Sequence, residues 1–263
     1  MSIRHRPEHL KVVQREFAKQ ASAYEAYGLT MNGEKGLRWA IEQLDLKPPH
    51  RVLDVAAGTG LLSRKVAPLV REVIALDATR EMMNVGKAEA EKAGLRNLLF
   101  HEGRAERLPF PDASFDWVVT RFSIHHMAEP SRVVHEMTRV CRPGGGVAVI
   151  DLAVPDDASL AARYNNMERM RDPSHTIALS ATQLRELVQG AGLSIQSVRT
   201  QAAHVPVNRW LDLTKASTEV RATIINALTG ELNGTSHTGM QPVLEGNELC
   251  YRQRWVAVIG RKG

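Results

Sequence analysis

A chain of 263 residues, 43% of them hydrophobic and 24% charged, is long enough to bury one substantial core. Its two cysteines, Cys141 and Cys250, are too few for a disulfide framework or a cysteine-built metal site, and the formal charge of +5 is spread among acids rather than gathered into a nucleic-acid-binding stripe. No run approaches the roughly 20 apolar residues of a membrane span, and the opening Met-Ser-Ile-Arg-His-Arg-Pro is unlike a secretory leader, so a cytoplasmic protein is expected.

From His9 to Tyr27 the apolar residues Val12, Val13, Phe17 and Tyr24 recur at helical spacing, and a second helical pattern runs from Asn32 to Leu44. Both precede the first strand and can fold over its carboxyl end as a cap. The basic cluster of Arg4, His5, Arg6, Lys11 and Arg15 reads as a solvated end as readily as a phosphate-binding patch.

Residues 51–60, Arg-Val-Leu-Asp-Val-Ala-Ala-Gly-Thr-Gly, then read as a buried parallel strand, a tight turn and a helix start. Gly58 and Gly60 allow a sharp turn and a close ligand approach. Asp54 stands near the strand's carboxyl end, where open α/β sheets bind ligands. Residues 73–77, Val-Ile-Ala-Leu-Asp, are a second apolar run, and its terminal Asp77 falls where a carboxylate meets ribose hydroxyls in doubly wound folds. A P-loop motif is absent, as is the Tyr-x-x-x-Lys pair of short-chain dehydrogenases, so a nucleoside ligand other than a nicotinamide cofactor is indicated.

Strand–helix alternation continues, with strands expected near 51–55, 72–77, 97–101, 115–120, 146–151, 194–200 and 251–259. Helices are expected near 61–69, 80–93, 131–141, 157–170 and 181–191. Two stretches exceed a minimal alternation, residues 154–180 and 204–249, the second holding Trp210 and a Gly-rich run.

Four motifs now stand in order: residues 52–60, residues 73–77, Leu-Pro-Phe-Pro-Asp-Ala-Ser-Phe-Asp-Trp-Val-Val over 108–119, and Glu-Met-Thr-Arg-Val-Cys-Arg-Pro-Gly-Gly over 136–145. Together they resemble the class I S-adenosylmethionine (SAM) methyltransferases, in the branch similar to the ubiquinone/menaquinone methyltransferases. The resemblance spans roughly residues 48–200. It implies an α/β, Rossmann-like, doubly wound sheet of seven mostly parallel strands in the order 3-2-1-4-5-7-6, the last antiparallel. It implies one domain over 1–263: a helical cap over 1–47, a cofactor core over 48–152, and substrate-side insertions with the final strands over 153–263.

The cofactor implied is SAM. Asp54 would meet its methionine ammonium, the backbone of Ala57, Gly58 and Gly60 its methionine and ribose, and Asp77, with Ala78, the ribose hydroxyls. Met82 would lie on the adenine face, Ala105 would offer its N–H to the ring, and Arg121 would border the same site. Two positions depart from the family pattern. Ala56 replaces a glycine, which is tolerable with a negative φ, and Arg104 replaces an acid that accepts from the adenine amino group, a role no donor-only guanidinium can fill.

Methyl transfer at a sulfonium needs an aligned nucleophile and, where that nucleophile is protonated, a base. His126 and its neighbour His125 follow the fourth strand and are the expected bases; either could equally order the loop. Tyr24, His175 and Trp210 are the expected acceptor-side residues, and no metal site is expected. The reading is O- or C-methylation of a small apolar or aromatic metabolite, the alternative being a SAM-binding protein with a regulatory or non-methylating role. A homodimer through the C-terminal insertion is the expected assembly, with no nucleic-acid partner.

Overall fold

The computed structural model describes residues 6–22, 24 and 33–263. Arg4 and His5 of the basic cluster, and the expected boundaries at Tyr27 and Asn32, lie outside the described residues. Helix α1 (Arg6–Gln20) stops short of the expected end, and Ala21 and Ser22 make a turn that brings Tyr24 beside Phe17 at 6.5 Å between ring centroids. Helix α2 (Glu34–Glu42) leads to the sheet.

The first five strands are mainly apolar runs, as strands covered on both faces are, although the edge strand leaves Leu99 half exposed. They are β1 (Arg51–Val55), β2 (Glu72–Asp77), β3 (Leu98–Glu102), β4 (Phe115–Arg121) and β5 (Cys141–Ala153). They pair in parallel with β1 between β2 and β4. Crossing between them are α3 (Leu61–Val66), α4 (Arg80–Lys92) and α5 (Pro130–Val140). Beyond β5 come α6 (Ala158–Arg171), α7 (Ala181–Gly190), β6 (Leu193–Pro206), α8 (Val207–Leu213), α9 (Thr218–Leu232), β7 (Pro242–Glu245) and β8 (Glu248–Lys262). The sheet order is β3-β2-β1-β4-β5-β8-β6, with the short β7 pairing off this path onto β8. Leaving β7 aside, this is the expected order, and β8 runs antiparallel to both its neighbours.

Alternate residues of each strand feed opposite faces. Leu53, Val55, Leu76 and Val118 pack under α5 and α7, whereas Val52, Val73, Trp117 and Val119 pack under α2, α3 and α4. The helices are started locally: Pro130 opens α5, Asp157 accepts from Ser159 N and Leu160 N at the head of α6, and Ser180 and Gln183 form a capping box on α7. A third apolar cluster, centred on Tyr164, Trp210, Leu211, Ile224 and Tyr251, lies outside the sheet's two faces and joins α6, α8, α9 and the overhanging end of β8.

The sequence pattern did not anticipate α8, α9 or β7. All three lie within the 204–249 stretch, α8 and β7 too short to show a period and α9 interrupted by Thr223, Thr229 and Gly230. β6 and β8 also run longer than expected, because they pair with each other past the end of β5, from Ala203↔Gln253 to Pro206↔Cys250.

Candidate active site

The strand order reverses between β1 and β4, the switch point where open α/β sheets form a ligand crevice. A cleft of about 990 Å³ opens there, over the carboxyl ends of β1, β2 and β4. Its floor is the turn after β1. Gly60, at φ +70, starts α3 in a conformation that favours glycine, and Gly58, at φ +59, would bring an added Cβ within 3.2 Å of Met82 Cε. Ala56 corrects an expectation: its φ is +55, not negative, so the methyl group is carried in the left-handed region at a cost of about 1–2 kcal/mol. Hydrogen bonds from Ala57 N to Leu76 O (3.0 Å) and from Gly60 N to Ala57 O (2.9 Å) hold the turn in place.

Three carboxylates line this cleft, Asp54 and Asp77 beside the glycine turn and Glu106 across from it. Asp54 is 2% exposed, accepts Ser63 Oγ–H at 2.6 Å, and is pushed up by burial to about 6, against the pull of the Ser63 bond and the Arg121 charge. Asp77 accepts Gly58 N–H on one oxygen and Thr79 N–H on the other, each at 2.7 Å. Burial raises it too, opposed by those bonds. Asp77 thus ties the Thr79 residue that precedes α4 to the glycine turn, and it lines the cleft. Met82 and Ala105 are buried in the wall, beside Ala78. Arg104 lines the rim and lies 3.6 Å from Glu106, itself a lining carboxylate able to accept a hydrogen bond. Arg121 is half-buried in the wall, and desolvation there depresses its pKa against the opposing influence of Tyr24, Asp54 and Asp151. From above, α1 bridges the lips: His9 Nε2 donates to His126 O at 2.8 Å, and Gln14 Nε2 to Ala78 O at 2.7 Å.

The arrangement suits the expected cofactor: a buried and a half-buried carboxylate for an ammonium and a diol, a glycine turn beside them, and a helix laid across the lips. The methyltransferase-domain family model matches residues 53–149. The uncharacterized methyltransferase YcgJ of Bacillus subtilis is 33% identical over 195 residues, covering 74% of this chain and 77% of that protein. This chain is a SAM-dependent methyltransferase.

Among other methyltransferase relatives, the ubiquinone/menaquinone C-methyltransferase UbiE of Coxiella burnetii is 37% identical over 136 residues, but the match spans 49% of this chain and 54% of that enzyme. The crystal structure of YcgJ superposes with a TM-score of 0.76 at 29% identity over 86% of this chain and 98% of that one. BH2331 from Bacillus halodurans gives a TM-score of 0.80 at 26% identity over 87% and 99%. SAM is the methyltransferase's cofactor, and the residues of the cleft fit it.

Past the cleft lies a second pocket of about 470 Å³, sharing Phe17, Tyr24, Phe122 and His126 with the first. Phe122, at φ +52, turns the chain sharply out of β4 into the short helical turn 124–126. That turn buries His125 and His126 with their ring centroids 4.2 Å apart. His125 Nδ1 meets Asp151 Oδ1 at 2.5 Å, and its backbone N–H reaches Asp151 Oδ2 at 3.2 Å. Thr176 N and Oγ donate to the His125 carbonyl at 2.8 and 2.7 Å, so the segment after α6 pins the turn. Burial alone would lower His125; the Asp151 charge and hydrogen bond, with Glu168 and Asp172 nearby, carry its pKa above the ordinary value. His126 is held differently, by Ser174 Oγ at 3.0 Å, which in turn donates to Asp172 Oδ1 at 2.5 Å. Burial and the neighbouring His125 charge depress it to about 3.

The expected acceptor residues divide. Tyr24 and Trp210 line the second pocket. His175 lines neither cavity, contrary to expectation. Its ring is buried with its centroid 5.5 Å from that of His125, its Nε2 bonded to Asn165 Oδ1 at 2.7 Å, and burial with the two histidine charges lowers its pKa. The sequence reading missed Asp151, Glu168, Arg171 and Gln253. Asp151 did leave a signal, since it interrupts the apolar run of β5 near its end as Asp77 ends β2. Glu168 and Arg171 share α6 and Gln253 comes from β8, elements that only the fold brings together.

Proposed function

We propose that this methyltransferase acts on a small-molecule acceptor seated in the second pocket, with His125 as the general base and Asp151 as its orienting partner. The observation that carries this reading is the buried His125–Asp151 dyad in the wall of a pocket contiguous with the cofactor cleft. Bound cofactor supplies an electrophilic methyl group on a sulfonium. Asp54, Asp77, the turn over 57–60, Met82, Ala105 and Arg121 hold and orient it, with Glu106 the better partner for the adenine amino group than Arg104. Phe17, Tyr24 and Phe122 stand where the two cavities meet and exclude water from the line of transfer.

Asp151 accepts the Nδ1–H of His125, so a proton taken from the acceptor goes to Nε2. The dyad suits an acceptor hydroxyl, or a carbon acid made nucleophilic by losing its proton. His126 is the weaker base because its neutral form is so strongly favoured, and its bond to Ser174 suits it to ordering the turn. The test is single-turnover transfer to acceptors found by following S-adenosylhomocysteine release across a metabolite panel. His125→Gln should slow transfer by roughly 10²–10⁴-fold, with SAM affinity unchanged. A His125→Gln protein that keeps the full rate, or a panel that yields no S-adenosylhomocysteine although SAM binds, refutes the reading.

A further inference from the structure

The second pocket has a polar floor that the transfer chemistry does not use. Glu168 and Arg171 stand three residues apart on α6, both line the pocket, and their side chains are 1% and 9% exposed. They form an incomplete pair: Arg171 Nη2 lies 3.1 Å from Glu168 Oε2, whereas Glu168 Oε1 and Arg171 Nε are buried with no hydrogen-bond partner among the described residues. A fully forked carboxylate–guanidinium contact would have used both atoms. Here a buried acceptor and a buried donor on two paired, pocket-lining residues are left without partners, and buried polar groups are normally partnered.

The remaining charges define what can fill the gap. Arg171 also lies 3.7 Å from Asp172 Oδ2, donates from Nη1 to Trp210 O at 3.3 Å, and stacks over the Trp210 ring at 4.7 Å. Its charge is therefore already answered. An anionic headgroup would meet Glu168 and Asp172, with Asp151 behind His125, and find no guanidinium to itself. A cationic headgroup could bond Glu168 Oε1 but has no acceptor for Arg171 Nε, so it would leave that buried donor unpartnered. Phe17, Tyr24, Phe122 and Trp210 supply flat walls.

We propose that the pocket selects an uncharged, planar acceptor carrying a hydroxyl or N–H beside a carbonyl, the donor bonding Glu168 Oε1 and the carbonyl bonding Arg171 Nε. This rests on the second pocket being the acceptor site. It narrows the acceptor class beyond a small apolar metabolite: carboxylates, phosphates and alkylammonium compounds are rejected, and enolised dicarbonyls, acylphenols or amides are taken.

The test is binding to the protein loaded with S-adenosylhomocysteine, measured by calorimetry with benzamide, acetophenone, benzoate and benzylamine. These probes share a ring and differ in donor, acceptor and charge. Benzamide should bind at least about tenfold more tightly than the other three, since a site built to bond a donor rejects analogues that lack it. In Glu168→Gln that advantage over acetophenone should shrink severalfold, while S-adenosylhomocysteine affinity stays as in the native protein. Tighter binding of benzoate or benzylamine, an undiminished benzamide advantage in Glu168→Gln, or no benzamide binding at millimolar concentration each overturns the acceptor class alone. Failure of the native protein to bind S-adenosylhomocysteine overturns both this inference and the function on which it rests.

Discussion

Asp151→Asn removes one charge from the dyad and almost no volume. In the native protein Asp151 Oδ1 accepts His125 Nδ1–H at 2.5 Å and Leu152 N–H at 2.7 Å, and Oδ2 accepts His125 N–H at 3.2 Å. An asparagine has a single acceptor oxygen, so one of these donors must face an NH₂ group whichever way the amide turns. A hydrogen bond to a charged group contributes about 1.5–3 kcal/mol, and one pKa unit corresponds to about 1.36 kcal/mol. The His125 pKa should therefore fall, because the charge and hydrogen bond that hold it up are weakened together. The sign follows from the base's role. Native His125 is raised above 6.5, and only its neutral form accepts a proton, so the native transfer rate should climb with pH through a value above 6.5. In Asp151→Asn that limb should move to lower pH. If the amide turns its NH₂ toward Nδ1, the ring is driven to the wrong tautomer and the plateau falls by roughly 10²–10⁴-fold. Stability has its own window: a raised histidine stabilises the fold below pH 6.5, and that contribution is lost as pH rises through its folded pKa, so the alkaline loss should shrink in the mutant. Histidine titration by heteronuclear NMR reads the shift without any acceptor. An unmoved His125 titration, or an unmoved rate limb, would refute the argument.

Asp77→Ala should weaken SAM binding by more than about tenfold and also lower the melting temperature, because Gly58 N–H and Thr79 N–H lose their acceptor together; full affinity by calorimetry in the folded mutant would contradict this. SAM affinity should decline as pH falls through about 6, since the ammonium needs an ionised Asp54 and burial has raised that carboxyl. Asp54→Asn should bind weakly with a flat profile over the same range, and a native profile that is itself flat would remove Asp54 from the ammonium site. Arg104→Asp should preserve or tighten SAM binding, because the native guanidinium is half-exposed on the rim and offers no acceptor; abolished binding would give the arginine a positive role.

The cofactor half was legible because its determinants are local. The expected limits of β1 and β2 match the structure, since short apolar runs with an acid near the end and glycines after it leave few alternatives. Even there, local rules misjudged Ala56, whose positive φ is imposed by the turn around it. The acceptor half was not legible. Asp151, Glu168, Arg171 and Gln253 stand on three elements far apart in the chain, and the antiparallel overhang of β6 on β8 that delivers Gln253 depends on register, not on periodicity. His175 shows the opposite error. Its position in a polar run invited a role in binding, yet that run folds back to support the histidine turn from behind.

The apolar cluster around Trp210, Ile224 and Tyr251 is built almost entirely from residues after β5, while the cofactor turn draws its support from the two faces of the sheet. Mutations that resize Trp210 or Leu213 reshape the second pocket without touching the packing beneath Asp54 and Asp77. Selection can therefore act on the two halves at separate rates. Descendants of this chain could drift from one acceptor to another through α6, α8 and α9 alone, inheriting an unaltered grip on the methyl donor.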